Sequence, residues 1–217
     1  MRYLLSSNAG EVLTMFVGVV AAPILGLQTQ GNEFVAPLLA TQILWINLVT
    51  DSGPALALGF DPPPDDVMRL RPRRLNDRVI DRSMVITIIV TGIVMAAATL
   101  VAIDLGLPGG LIPGAGSIDH GRTMGFTVSV LASLFVAYNS RSPRLSAFHD
   151  PFSNTRLAGS ILLALLLQLL VVYVPLLQTA FGTAALTLED WIACAILASS
   201  VLWVEEARKA FVRRRSC

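Results

Sequence analysis

Six stretches of about twenty mostly apolar residues dominate the chain, each long enough to cross a hydrocarbon core of ~30 Å as a helix. In that solvent every backbone donor and acceptor must be paired within its own segment, so the pattern admits helices and little else. The windows run 3–27, 36–59, 83–105, 123–143, 156–178 and 189–207. Composition agrees: the 217 residues are 54% hydrophobic and 14% charged, where a soluble domain carries about a quarter charged residues. Mean hydropathy is +0.67. The expected fold class is an all-α membrane protein, a bundle of six transmembrane helices forming a single transmembrane domain over 1–217, with the lipid bilayer as a partner. The sequence shows neither an internal repeat nor a linker long enough to separate domains.

Charge sets the orientation. The intervening segments alternate in character: 28–35 is short, 61–82 charged, 106–122 rich in Gly and Pro, 142–155 basic and 179–188 short. Fifteen of the sixteen Lys and Arg residues fall on one side: Arg2, the run from Arg69 to Arg82, the group Arg141, Arg144 and Arg156, and the cluster from Arg208 to Arg215. Arg122 alone falls on the other. The positive-inside rule then places both termini in the cytoplasm of a multi-pass protein of the cell membrane. Arg213 to Arg215 read as a topology signal and a contact for anionic lipid, so no nucleic-acid partner is expected.

Against this background a carboxylate inside a span needs a reason, because burying one at the bilayer centre costs roughly 2.5 to 3.5 kcal/mol. Asp51 stands near the middle of the second window, and Asn47, Thr50 and Asp51 stack at i, i+3 and i+4 on one helical face. Ser52-Gly53-Pro54 follows at once. Pro54 lacks an N–H and clashes with the carbonyl four residues back, so the second helix is expected to break at Ser52-Gly53-Pro54 and free carbonyls beside Asp51. The first window adds Asn8 and Glu11 on a shared face. Asn8, Glu11, Asn47, Thr50 and Asp51 are therefore the candidate metal ligands. They supply oxygen without sulfur or imidazole, which suits a hard cation such as Ca²⁺; Na⁺ and protons satisfy the same grounds.

The remaining features read as structural. Gly18 with Ala22, and Gly92 with Ala96, are small pairs one turn apart that let helices approach. Trp45, Trp191 and Trp203 read as interfacial or packed, His120 and His149 as solvated loop residues, and Cys194 and Cys217 as chemically inert. Asp104 closes the third window at its outer end, where water is expected to solvate it. Asp61, Asp65 and Asp66 read as a solvated turn or as a relay to a cytoplasmic partner. The apolar start after Met1-Arg2 only faintly resembles a signal peptide, since Glu11 interrupts it.

Three longer matches carry a family resemblance. Arg2-Tyr3-Leu4-Leu5-Ser6-Ser7-Asn8-Ala9-Gly10-Glu11, Trp45-Ile46-Asn47-Leu48-Val49-Thr50-Asp51-Ser52-Gly53-Pro54-Ala55 and Gly59-Phe60-Asp61-Pro62-Pro63 resemble the fifth and sixth transmembrane helices of P-type ATPases of the calcium-pump group. Weaker similarity runs through Tyr138-Asn139-Ser140-Arg141-Ser142 and Asp190-Trp191 to Glu205-Glu206-Ala207-Arg208-Lys209, so the whole chain is similar to the family's C-terminal six-helix region.

The resemblance implies one cation site at Asn8, Glu11, Thr50 and Asp51, and a second at Asn47 and Asp51. It also implies Ca²⁺ as the transported ion, with ATP and Mg²⁺ used only in a complete pump. The eighth-helix Glu of the family is replaced by Pro143, and its Asp-Lys-Thr-Gly-Thr motif, nucleotide domain and actuator are absent from these residues. No catalytic residue is therefore expected. The implied partner is the missing N-terminal half or a full-length pump, through truncation, a split gene or a start placed too far downstream. The alternative is a self-contained six-helix passive cation conduit or a truncated assembly partner.

Overall fold

The computed structural model describes residues 1–23, 27, 35–60, 82–107, 111, 116–141 and 154–215, side chains to 211. Asp61, Asp65, Asp66, the arginines from Arg69 to Arg78, Pro143, Arg144, His149, Cys217 and the side chains of Arg213 to Arg215 lie outside the described residues. Those described form helices and connecting turns, with no strand among them. In chain order the elements are α1 (Arg2–Val20), α2 (Ala40–Trp45), a π turn (Ile46–Thr50), α3 (Ser52–Gly59), α4 (Arg82–Gly106), α5 (Ile118–Asn139), α6 (Thr155–Tyr173), α7 (Pro175–Phe181) and α8 (Leu188–Arg215).

Four of these, α1, α4, α5 and α6, are long and apolar enough to cross a membrane. The other two expected spans have physical reasons to differ. The second is divided by the π turn into short pieces, and the apolar stretch of α8 is bounded by Glu189-Asp190 and Glu205-Glu206. The fifth is also divided, because Pro175 follows Val174, whose extended backbone (φ −84°, ψ 119°) ends α6. Nearby side chains satisfy the carbonyls freed there: Gln178 Nε2 donates to Val172 O at 2.6 Å and Thr183 Oγ1 to Val171 O at 2.8 Å. Gly182 then closes α7 in the left-handed conformation at φ 59°.

Helix α4 packs against α1, α5 and α8, and α5 is buried along most of its length. Ser117 caps α5, its hydroxyl accepting from His120 N at 3.2 Å, with Asp119 in the first turn. His120 is consequently a helical residue, and its Nε2 lies 3.5 Å from Asp190 Oδ2 at the start of α8. The expectation of a solvated loop fails for it. Asp104 departs likewise: it is 3% exposed, and its Oδ1 accepts from Leu111 N at 2.8 Å.

The small residues do bring helices together. A Cβ on Gly92 would stand 3.2 Å from Ala9 Cβ and 3.3 Å from Gly10 N, so α1 and α4 meet almost backbone to backbone. Trp45 packs edge-on against Phe181 at 5.0 Å, Trp191 Nε1 donates to Tyr173 Oη at 2.9 Å, and Trp203 is exposed. Cys194 is buried in the apolar cluster between α5 and α8, consistent with an inert side chain.

Candidate cation site

Helix α1 turns a polar stripe inward. Tyr3, Ser7, Glu11, Thr14 and Gly18 are buried at steps of three and four, with Ser6 and Gly10 beside them, while Val12, Phe16 and Val20 face outward. Thr14 returns its hydroxyl to Gly10 O at 2.8 Å, which leaves Glu11 as the stripe's one charged group.

The partner segment is irregular where a carboxylate needs it to be. The expected break at Ser52-Gly53-Pro54 lies one turn earlier, because those three residues form the first turn of α3, where a proline's missing donor costs least. The disturbance passes upstream: Asp51 N–H bonds Ile46 O at 2.8 Å, five residues back, giving the π turn over Ile46–Thr50. Asp51 sits at the junction and is fully buried.

The structure brings Glu11, Asn47 and Asp51 together, with Thr50 buried next to Asp51 in the chain. Asn47 Nδ2 donates to Glu11 Oε2 at 2.6 Å and to Ile43 O at 3.0 Å, joining the two helices directly. Glu11 lies within Coulomb reach of Asp51. Glu11 Oε1, Thr50 Oγ1 and Asp51 Oδ2 are all buried without a hydrogen-bond partner. Buried polar atoms are rarely orphaned, so these three oxygens mark a candidate cation site. Asn8 is placed differently. It is exposed on the wall of an open groove of about 610 Å³ that it shares with Glu11, Val12, Met15, Phe16 and Asn47.

Three contributors escaped the sequence reading. Tyr3 Oη donates to Asp51 Oδ1 at 2.8 Å, and Ser7 and Ser133 of α5 stand beside the same carboxylate, their own hydroxyls 2.5 Å apart. The spacing of Tyr3, Ser7 and Glu11 on one α1 face was available as a signal. Ser133, 126 residues from Ser7, had none. Among the described residues no group of three or more His, Cys, Asp or Glu forms a metal cluster; the oxygen donors around this pair of carboxylates suit a hard ion.

The chain is similar to known proteins over most of its length. Residues 35–211 match the family described as "Cation transporting ATPase, C-terminus". The calcium-transporting ATPase of Bacillus subtilis is 37% identical over 191 residues, covering 88% of this chain and 20% of the relative. Human calcium-transporting ATPase type 2C member 1 is 35% identical over 198 residues, covering 91% of this chain and 21% of the relative. The endoplasmic reticulum-type calcium-transporting ATPase 3 of Arabidopsis thaliana is 31% identical, covering 98% of this chain. The chain spans about a fifth of the length of these relatives. With that match over 35–211, the chain belongs to the family of cation-transporting ATPase C-terminal regions, as its resemblance to the calcium-pump group implied.

Proposed function

We propose that this chain is the ion-binding and translocation half of a calcium-transporting P-type ATPase, with Asn8, Glu11, Asn47, Thr50 and Asp51 as ligands of the transported Ca²⁺. The observation that carries the reading is the trio of buried, unpartnered oxygens on Glu11, Thr50 and Asp51 beside the π turn. Two carboxylates balance one divalent charge. Six to eight oxygens at about 2.3–2.6 Å are what Ca²⁺ takes, so carbonyls, water or a further helix over the Asn8 groove complete the shell. All six hydrophobic segments cross the bilayer in this reading, both termini are cytoplasmic, and the interrupted second helix follows the use of broken helices at ion sites.

ATP hydrolysis belongs to a complete pump, because the sequence has no Asp-Lys-Thr-Gly-Thr and no phosphate-cradling loop to work with. The lipid bilayer and an N-terminal pump half, or a full-length pump, are its partners in this reading. Radiocalcium binding to the full chain in lipid nanodiscs tests the reading. Saturable Ca²⁺ binding lost in Asp51→Asn is expected, with no phosphate retained from radiolabelled ATP. Binding unaffected by Asp51→Asn would refute the ligand set, and retained phosphate would refute the division of labour.

A further inference from the structure

The arginine-rich end of the bundle carries a second polar cluster. Lys209 of α8 is 1% exposed, and its Nζ donates to Asn139 O and Asn139 Oδ1, both at 3.0 Å. Asn139 is the last residue of α5, so its carbonyl is an orphan acceptor at the negative end of the helix dipole, where cations bind well. The same carbonyl accepts a longer bond, 3.4 Å, from the guanidinium of Arg2 on α1. Asn139 Nδ2 turns to Leu202 O at 3.4 Å. Beside it the buried Glu205 accepts from Thr91 of α4 at 2.8 Å and from Arg208 at 2.9 and 3.1 Å, and lies within Coulomb reach of Arg2. Four helices thus converge on one carbonyl and one carboxylate.

Arg2 is bonded to Asn139 while its neighbour Tyr3 is bonded to Asp51. Further along α1, Gly10 rests on Met95 and on the backbone contact at Gly92. The rise from Arg2 to Gly10 is about 12 Å. A shift of the Arg2 end about that contact moves Tyr3 by nearly its full amount and Glu11, next to the fulcrum, by little. The Tyr3–Asp51 bond of 2.8 Å is lost once its length passes about 3.5 Å, so a displacement under about 1 Å suffices.

We infer that the Arg2–Asn139–Lys209 cluster is a positioning joint for the Asp51 half of the cation site: it holds α1 so that Tyr3 reaches Asp51, and it leaves the Glu11–Asn47 half alone. The inference rests on the reading of Asp51 as a ligand, but its geometry is testable without it. Thermal unfolding of the full chain in nanodiscs, followed by tryptophan fluorescence, supplies double-mutant cycles. Tyr3→Phe is expected to lower the midpoint by about 3 °C in the parent chain and by less than a third of that in Arg2→Met. Asn47→Ala should cost the same in both backgrounds. Lys209→Met should behave as Arg2→Met does; because it strips Asn139 of a buried partner and risks misfolding, Arg2→Met at the half-buried helix start carries the test.

Additive effects of Arg2→Met and Tyr3→Phe would overturn the joint, as would equal coupling to Asn47→Ala. Radiocalcium affinity of the same samples should fall several-fold in Arg2→Met and recover in Arg2→Lys, a response that simple loss of packing would not give. Coupled melting in a chain that binds no Ca²⁺ would sink the cation reading and leave the joint standing. Ca²⁺ binding with additive melting would do the reverse.

Discussion

Replacing Gly92 by Leu tests how closely α1 is held against α4. A Cβ there would lie 3.2 Å from Ala9 Cβ, 3.3 Å from Ala9 C and 3.3 Å from Gly10 N. Two of those atoms are backbone and cannot rotate away, so α1 itself must retreat. Alanine asks for a few tenths of an ångström and gains about 1 kcal/mol of helix propensity over glycine, so Gly92→Ala should be close to neutral. Leucine adds three more carbons where there is no room. Overpacking costs about 1–3 kcal/mol, and with backbone as the obstacle the loss should be about 2 kcal/mol, or roughly 4–8 °C in unfolding midpoint for a chain this size.

Gly159 on α6 is the control, because a Cβ there meets nothing within 4 Å. Gly159→Ala should stabilise by up to about 1 kcal/mol. Calorimetry in nanodiscs reads both. Equal midpoints for Gly92→Leu and Gly159→Leu would show that α1 and α4 do not touch as described.

Further outcomes follow from other contacts. Thr183→Val should cost about 1–3 kcal/mol, since Val171 O beside the proline loses its donor in a buried setting; an unchanged midpoint would remove that repair. Asp104→Asn should leave both radiocalcium affinity, within about twofold, and the midpoint little changed, because the amide Oδ1 can still accept from Leu111 N; a loss of affinity equal to that of Asp51→Asn would point to bulk field instead of coordination. With Pro143 where the resembling family has its eighth-helix Glu, an assembled pump should occlude one Ca²⁺ per phosphoenzyme. Occlusion near two ions would reject this. A cysteine placed at Ser117, exposed ahead of α5, should react with impermeant maleimide from outside intact cells, and reaction from the cytoplasmic side alone would invert the topology.

Much of the site was legible in the sequence because it rests on costs that are local. Glu11 and Asp51 are expensive anywhere inside an apolar span, and Asn47 sits one turn from Asp51 whatever the bundle does. What could not be read was long-range or displaced along the chain. Tyr3 and Asp51 are 48 residues apart, and nothing in either segment names the other. The helix irregularity was anticipated in the right segment but one turn late, since the ring of Pro54 strains the carbonyl before it while its own residue joins a fresh first turn. Asp104 was misjudged by the rule that a helix end is wet, and His120 by being read as part of a loop. Leu111 N donates to the first, and a Ser117 cap, visible in the sequence, begins a helix at the second.

The two ends of the interrupted helix are anchored to different neighbours. Near its start Gln42 Nε2 donates to Phe181 O of α7 at 3.0 Å, and near its finish Ala57 O accepts from Asn154 Nδ2 at the head of α6 at 3.2 Å. A π turn holds one residue more than an α turn, and expelling that residue would rotate everything beyond it by about 100° about the helix axis. With both ends tied, such a rotation must tear one anchor. The two amide side chains therefore act as a phase lock: they fix the azimuth at which Asp51 points into the bundle, and a change in its direction by that rotation has to begin by releasing Gln42 or Asn154.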